Sequence, residues 1–188
     1  MTLSAREKDS AVSPVVGVML MLVVTIIIAA VVSAFAGGLS SGEESPRQAT
    51  LRATYSQTTG MVIEHASGDT LEASKLEFVI RPTAQFGSSA ENFASTINQK
   101  YLNNTAGKPW VSWTTNAQTV TSFNPGDTAY IVPPVHTGQY LQPEVWYRSA
   151  TSQTWTISHP NNIGRSFYLE LYDSSGKMIA KTEVVISP

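Results

Sequence analysis

From Val12 to Gly38 the chain reads VSPVVGVMLMLVVTIIIAAVVSAFAGG, directly behind Ser10-Ala11. Between Val15 and Ala36 there is no charge, and only Gly17, Thr25 and Ser33 are not strongly apolar. A helix of about 22 such residues rises roughly 33 Å, enough to cross the hydrocarbon core of a bilayer. A surface helix of a soluble domain must turn one side to water, and this segment has no such side. It therefore spends part of its life in lipid. That divides the chain into one greasy helix and whatever the remainder folds into.

The remainder is the size of one ordinary domain. Of 188 residues, removal of the helix and its flanks leaves about 140, enough to bury a real core. The net charge is −2 and there is no basic run, which argues against nucleic acid as a partner. Charged residues make up only 14%, so the polar surface must be largely Ser, Thr, Asn and Gln. The absence of cysteine excludes a disulfide framework, thiol catalysis and Cys-ligated metal. The domain must hold by packing alone.

Three readings of the N-terminus compete. Ala34-Phe35-Ala36 before Gly37 is an acceptable signal-peptidase site, but the apolar run exceeds the usual h-region, and Arg6 and Lys8 are offset by Glu7 and Asp9. A permanent signal anchor fits the length, and the two bases favour a cytoplasmic N-terminus. The third reading uses the residues ahead of the run. A charged leader ends in Ser10-Ala11, and Val12-Ser13-Pro14 then opens a helix: Ser13 can cap its first turn, and proline is tolerated where no N–H is needed.

The run Ala11-Val12-Ser13-Pro14-Val15-Val16-Gly17-Val18-Met19-Leu20-Met21 resembles the start of archaeal type IV pilins, whose leader is cut on the cytoplasmic side by a prepilin peptidase. The resemblance implies a cut between Ala11 and Val12 that leaves the helix on the mature protein. The leader's charges cancel, so the mature chain keeps −2. Bacterial type IV pilins resemble this pattern but place a glutamate where this chain has Val16, so packing must set the register between helices. Ala29, Ser33 and Gly37 fall on one i, i+4 row, and Ala30, Ala34 and Gly38 on the next. Small residues on such rows let helix backbones approach closely. The competing reading is that they merely taper a membrane helix.

The organisation expected is a leader over 1–11, a helix over 12–38, a linker over 39–46 and an outer domain over 47–188. The linker is rich in glycine, serine and acid, with Pro46 at its end. Beyond it, alternating apolar runs predict strands at Gln48–Ser56, Gly60–His65, Lys75–Arg81, Trp110–Thr115, Thr119–Phe123, Thr128–Val132, Val145–Ala150, Thr154–Ser158, Ser166–Asp173 and Lys177–Ile186. Phe167, Leu169 and Leu171 form one apolar face, and Asp173-Ser174-Ser175-Gly176 reads as a hairpin turn. Strands at this spacing predict a mainly β chain: an antiparallel, immunoglobulin-like sandwich behind the N-terminal helix. Ser88 and Glu91 resemble a capping box, and the helical spacing behind them predicts a short helix over Ser89–Leu102, against a long polar loop.

Little in the outer domain points to chemistry. His65, His136 and His159 are isolated from one another in sequence, unlike zinc ligands, and each reads as a strand-end or loop residue. There is no G-x-S-x-G or H-E-x-x-H motif and no phosphate loop, so neither a cofactor nor a metal is called for. Gly68-Asp69-Thr70 and Gly126-Asp127-Thr128 read as turn chemistry, with calcium as the minor alternative. The segments around both also resemble outer domains found behind this pilin N-terminus. Trp110, Trp113, Trp146, Trp155 and the tyrosines read mainly as core, with an exposed sugar-binding platform as the competing reading. Trp110 and Trp113 would face opposite sides of a strand, leaving at least one exposed or at an interface. Asn103-Asn104-Thr105 is an N-glycosylation sequon.

The resemblance implies a structural subunit, not an enzyme: a membrane-held precursor, processed by its peptidase and built by pilus machinery into a self-assembled surface filament that mediates attachment. A single-pass anchored binding protein that never polymerises is the alternative, and a secreted enzyme a distant third.

Overall fold

Alternation in residues 166–173 organises the domain. The computed structural model describes residues 14–39, 47–87, 89, 93–148 and 151–188. The chain divides into two compact units, Met1–Ser45 and Pro46–Pro188. In the second, Phe167, Leu169 and Leu171 of strand β8 (Ser166–Asp173) are fully buried. Their neighbours in register extend the same face. Phe78 and Ile80 of β4 (Leu76–Pro82) stand opposite Leu171 and Leu169, and Val184 and Ala180 of β9 (Met178–Ser187) stand opposite Phe167 and Leu171. The β8–β9 hairpin closes as its sequence requires. The Asp173 carboxylate accepts from the Ser175 and Lys177 amides, and Gly176 takes a φ of +80°.

A second antiparallel ladder is built from β1 (Ala49–Ser56), β2 (Gly60–Gly68) and β7 (Thr128–Ile131). It contributes Leu51, Tyr55, Met61, Ile63, Ala129 and Ile131 to the core. The ladders join where Tyr55 and Ser56 pair in parallel with Ile186 and Ser187. With β5 (Ser95–Thr96) at the edge, the sheet order is β5-β4-β8-β9-β1-β2-β7. A separate two-stranded ribbon pairs β3 (Leu71–Glu72) with β6 (Ser122–Phe123).

The mainly β domain behind a long apolar helix matches the sequence reading; the two facing sheets of an immunoglobulin-like sandwich are not seen. Seven strands share one hydrogen-bonded sheet. Leu71 and Phe123 of the ribbon, with Ile97, Leu102, Trp110, Leu141 and Ile157 from loop-rich residues 97–163, complete its core. Trp110 packs edge-on against Phe78 and Phe123 at centroid distances of 5.7 and 5.2 Å. The strands expected at 110–115, 145–150 and 154–158 are absent among the described residues. Turns, helix α3 (Pro143–Trp146) and a 3-10 turn at Ser152–Trp155 stand there instead. Of the strand expected at 119–123, only β6 forms.

At 154–158 side chains explain the difference, because they take over ladder hydrogen bonds. Gln57 Nε2 donates to the carbonyls of Ile157 and His159, and Asn162 Nδ2 donates to those of Thr154 and Thr156. The Ile157 amide donates to buried Gln142 Oε1. Buried backbone groups so satisfied need no neighbouring strand. At Gly138, which opens α2 (Gly138–Leu141), an added Cβ would lie 2.6 Å from Thr156 Cβ, so only glycine allows this approach. The helix expected over 89–102 is likewise corrected. Its described part holds β5 and a 3-10 turn at Gln99–Tyr101, in which Asn98 Oδ1 accepts from the Lys100 amide. Ser88 and Glu91 lie outside the described residues.

Candidate functional site

The N-terminal unit is dominated by helix α1 (Pro14–Leu39). Every side chain described in it, from Pro14 to Ala36, is exposed, and no polar face interrupts the apolar surface. Over Pro14–Ala36 it is long and apolar enough to cross a membrane. Proline occupies the first helical position, where its missing N–H is no loss. The hydroxyl of Thr25 donates to the Leu22 carbonyl at 2.9 Å, so it demands no partner from lipid or from another helix.

Ala29, Ala30, Ser33 and Ala34 are exposed on α1, and the helix continues through Gly37 and Gly38. An unbroken helix keeps both i, i+4 rows on adjacent lines. The row geometry is therefore present; what packs on it is a separate matter. The Ala11–Val12 junction lies outside the described residues.

In the outer domain the candidate residues are dispersed. Asn103 is half-buried, with its amide and carbonyl both bonded to Tyr130, at 2.7 and 2.8 Å. Asn104 Oδ1 accepts from the Ala106 and Lys108 amides and so shapes the turn that carries the sequon. Gly126 lies in a turn that leads into β7, whereas Gly68 ends β2 and Asp69 and Thr70 link it to β3. Asp69 Oδ2 accepts from the Gln48 amide, and Asp127 Oδ2 accepts from both nitrogens of Asn124. His65 is buried inside β2, against the expectation of a strand end or loop. Its ring lies 5.1 Å from that of Phe123, and its Nδ1 is 3.1 Å from the Phe123 carbonyl oxygen. His136 and His159 lie in loops, and His159 Nδ1 accepts from the Asn161 amide. No cluster of potential metal ligands occurs among the described residues.

One feature escaped the sequence reading, and a second was reached only in part. Glu170 projects from the side of β8 opposite Phe167 and Leu169, where alternation predicts exposure, yet it is buried. Arg81 and Lys181 each reach it at 3.1 Å, and the Tyr172 hydroxyl donates at 3.0 Å. Burial pushes the Glu170 carboxyl up, but the bonds from Lys181, Tyr172 and Arg81 outweigh it and hold the group below the usual carboxylate range. The only advance signal was the register partner Lys181, which becomes visible once the hairpin is placed. The second feature is aromatic. Trp110 is core, whereas Trp113 is 53% exposed, with its ring 5.4 Å from that of Tyr101. The sequence separates this pair in exposure for the wrong reason, since neither residue lies in a regular strand.

Among curated proteins, no relative matches the chain. The family model described as "Archaeal Type IV pilin, N-terminal" matches residues 10–51, a span that begins ahead of α1, contains it and enters β1. Helix α1, apolar and of membrane-spanning length, lies within the matched residues, so residues 10–51 of this chain are similar to an archaeal type IV pilin N-terminal segment.

Proposed function

We propose that the protein is a structural subunit of an archaeal type IV pilus-like surface filament, with no catalytic role. The observation that carries the reading is α1, apolar on every described side and continuous with the matched segment. In this mechanism the precursor sits in the membrane with residues 47–188 outside. A prepilin peptidase cuts between Ala11 and Val12. Assembly machinery then draws α1 from lipid into a bundle of identical helices. An all-apolar helix suits both surroundings, because neighbouring helices replace lipid at little polar cost. Val16 leaves no carboxylate to pair with a neighbour's N-terminus, so the Ala29/Ser33/Gly37 and Ala30/Ala34/Gly38 rows set the contact. The outer domains coat the filament and attach it to surfaces.

N-terminal mass spectrometry of the mature protein tests the processing step on which this rests. A chain beginning at Val12 is expected. A start at Gly37 would mean signal-peptidase cleavage and loss of the helix, and an uncut leader would make the chain a signal anchor. The same spectrum reads the sequon. We assign Asn103 as its acceptor, so its peptide should carry added saccharide mass.

A further inference from the structure

The loop-rich part of the domain concentrates exposed aromatic surface and positive charge, and nothing in the filament reading uses either. Trp113 is more than half exposed and Tyr147 is 70% exposed. The Tyr101 ring bridges Trp113 and Tyr140, at 5.4 and 5.5 Å between centroids. Lys100 Nζ sits 5.7 Å from the Trp113 ring centroid. Neither the Tyr101 nor the Tyr140 hydroxyl is held by a hydrogen bond within the described residues. Gln139 beside Tyr140 donates to the Tyr147 hydroxyl at 3.0 Å. Between residues 93 and 165, Lys100, Lys108, Arg148 and Arg165 meet only Asp127 and Glu144, a net of +2 on a chain whose total is −2.

We propose that Trp113, Tyr101 and Tyr140, with Lys100 beside them, form a binding surface for an acidic polysaccharide. The chemistry selects this ligand class. The exposed Trp113 ring, with the half-buried rings of Tyr101 and Tyr140 beside it, offers an apolar face to the C–H side of a pyranose, and exposed aromatic surface of this kind marks an interaction site. Free phenolic hydroxyls can exchange hydrogen bonds with sugar hydroxyls. Lys100 beside the Trp113 ring distinguishes a polyuronate from a neutral glycan, since its ammonium can pair with a carboxylate. Binding sites commonly sit on loops carried by a rigid sheet, as this one does. The proposal deepens the surface-attachment reading but does not depend on polymerisation.

Affinity electrophoresis of the full-length protein in neutral detergent tests it, with alginate in the gel as the acidic probe and dextran as the neutral one. Alginate should retard the wild type and dextran should not. Trp113→Ala removes no charge, and its retardation should weaken about tenfold or more, the scale of loss when an aromatic anchor is truncated. Lys100→Gln should weaken it less, and the thermal midpoint of both variants should stay at the wild-type value. A wild type that alginate does not retard would overturn the proposal. So would equal retardation by dextran. Retardation of Trp113→Ala at the wild-type level would also overturn it, by showing that the ring takes no part in binding. A protein that binds alginate yet forms no filaments would leave this surface standing and remove the filament reading.

Discussion

Glu170 shows how one residue can decide a local balance of forces. A carboxylate buried without partners would protonate instead of remaining charged. Here two cations and a phenol hold it ionised, and the cations stay partly in water, with side-chain exposures of 34% for Arg81 and 40% for Lys181. Glu170→Gln removes the charge that orders them while keeping the shape. The loss expected is about 1–3 kcal/mol, since hydrogen bonds to charged groups are worth roughly that. The pH dependence has a definite sign. The folded pKa lies below the unfolded value of about 4.3, so the contribution is present above that pH and is lost as pH falls through the lower folded value. Thermal unfolding followed between about pH 6 and pH 2.5 should show the wild type losing its margin over Glu170→Gln toward the acid end. A constant margin across that range would mean that Glu170 does not titrate in this way.

Among the elements, α1 makes the strongest demand. Its composition specifies an apolar surrounding but not which face meets which neighbour; only the small-residue rows break its uniformity. Replacing Ala30 and Ala34 together with Leu keeps the segment apolar, so membrane insertion should survive. Overpacking a tight helix contact costs about 1–3 kcal/mol, and in a filament that cost recurs at every subunit. Cleaved, membrane-held monomer should then accumulate while filaments disappear from electron micrographs. Ile26→Leu with Val31→Leu preserves bulk and should assemble normally. Filaments at normal yield from the Ala30/Ala34 variant would place the packing face elsewhere on the helix.

For the molecule as a whole, residues 46–188 form a compact unit with its own core and no cysteine. A protein beginning at Arg47 should be soluble, monomeric and β-rich, because the core closes among the sheet and residues 97–163 without help from α1. Circular dichroism and light scattering check this. A helix-dominated spectrum, or aggregation from dilute solution, would show that the unit does not fold alone.

Six strands, the β8–β9 hairpin and α1 were legible in the sequence because each is written in local pattern. β-strand alternation, a turn aspartate followed by glycine, and an apolar run of membrane length all act over neighbouring residues. Residues 97–163 were not legible in this way. Thr154–Ser158 has strand-like composition, yet its backbone is bonded by Gln57, Gln142 and Asn162, partners set by the tertiary fold, and the carbonyls of Val145 and Trp146 accept from Ser152 and Gln153. The candidate surface follows the same division. The sequence determined that Trp113 and Tyr101 exist in a charge-poor chain, and that a helix fit for lipid precedes them. Only the tertiary structure decided that Trp110 fills the core while Trp113 meets water, and that Glu170 is buried on the sheet's other side. Burial depends on what crosses overhead, and no period within a strand records that.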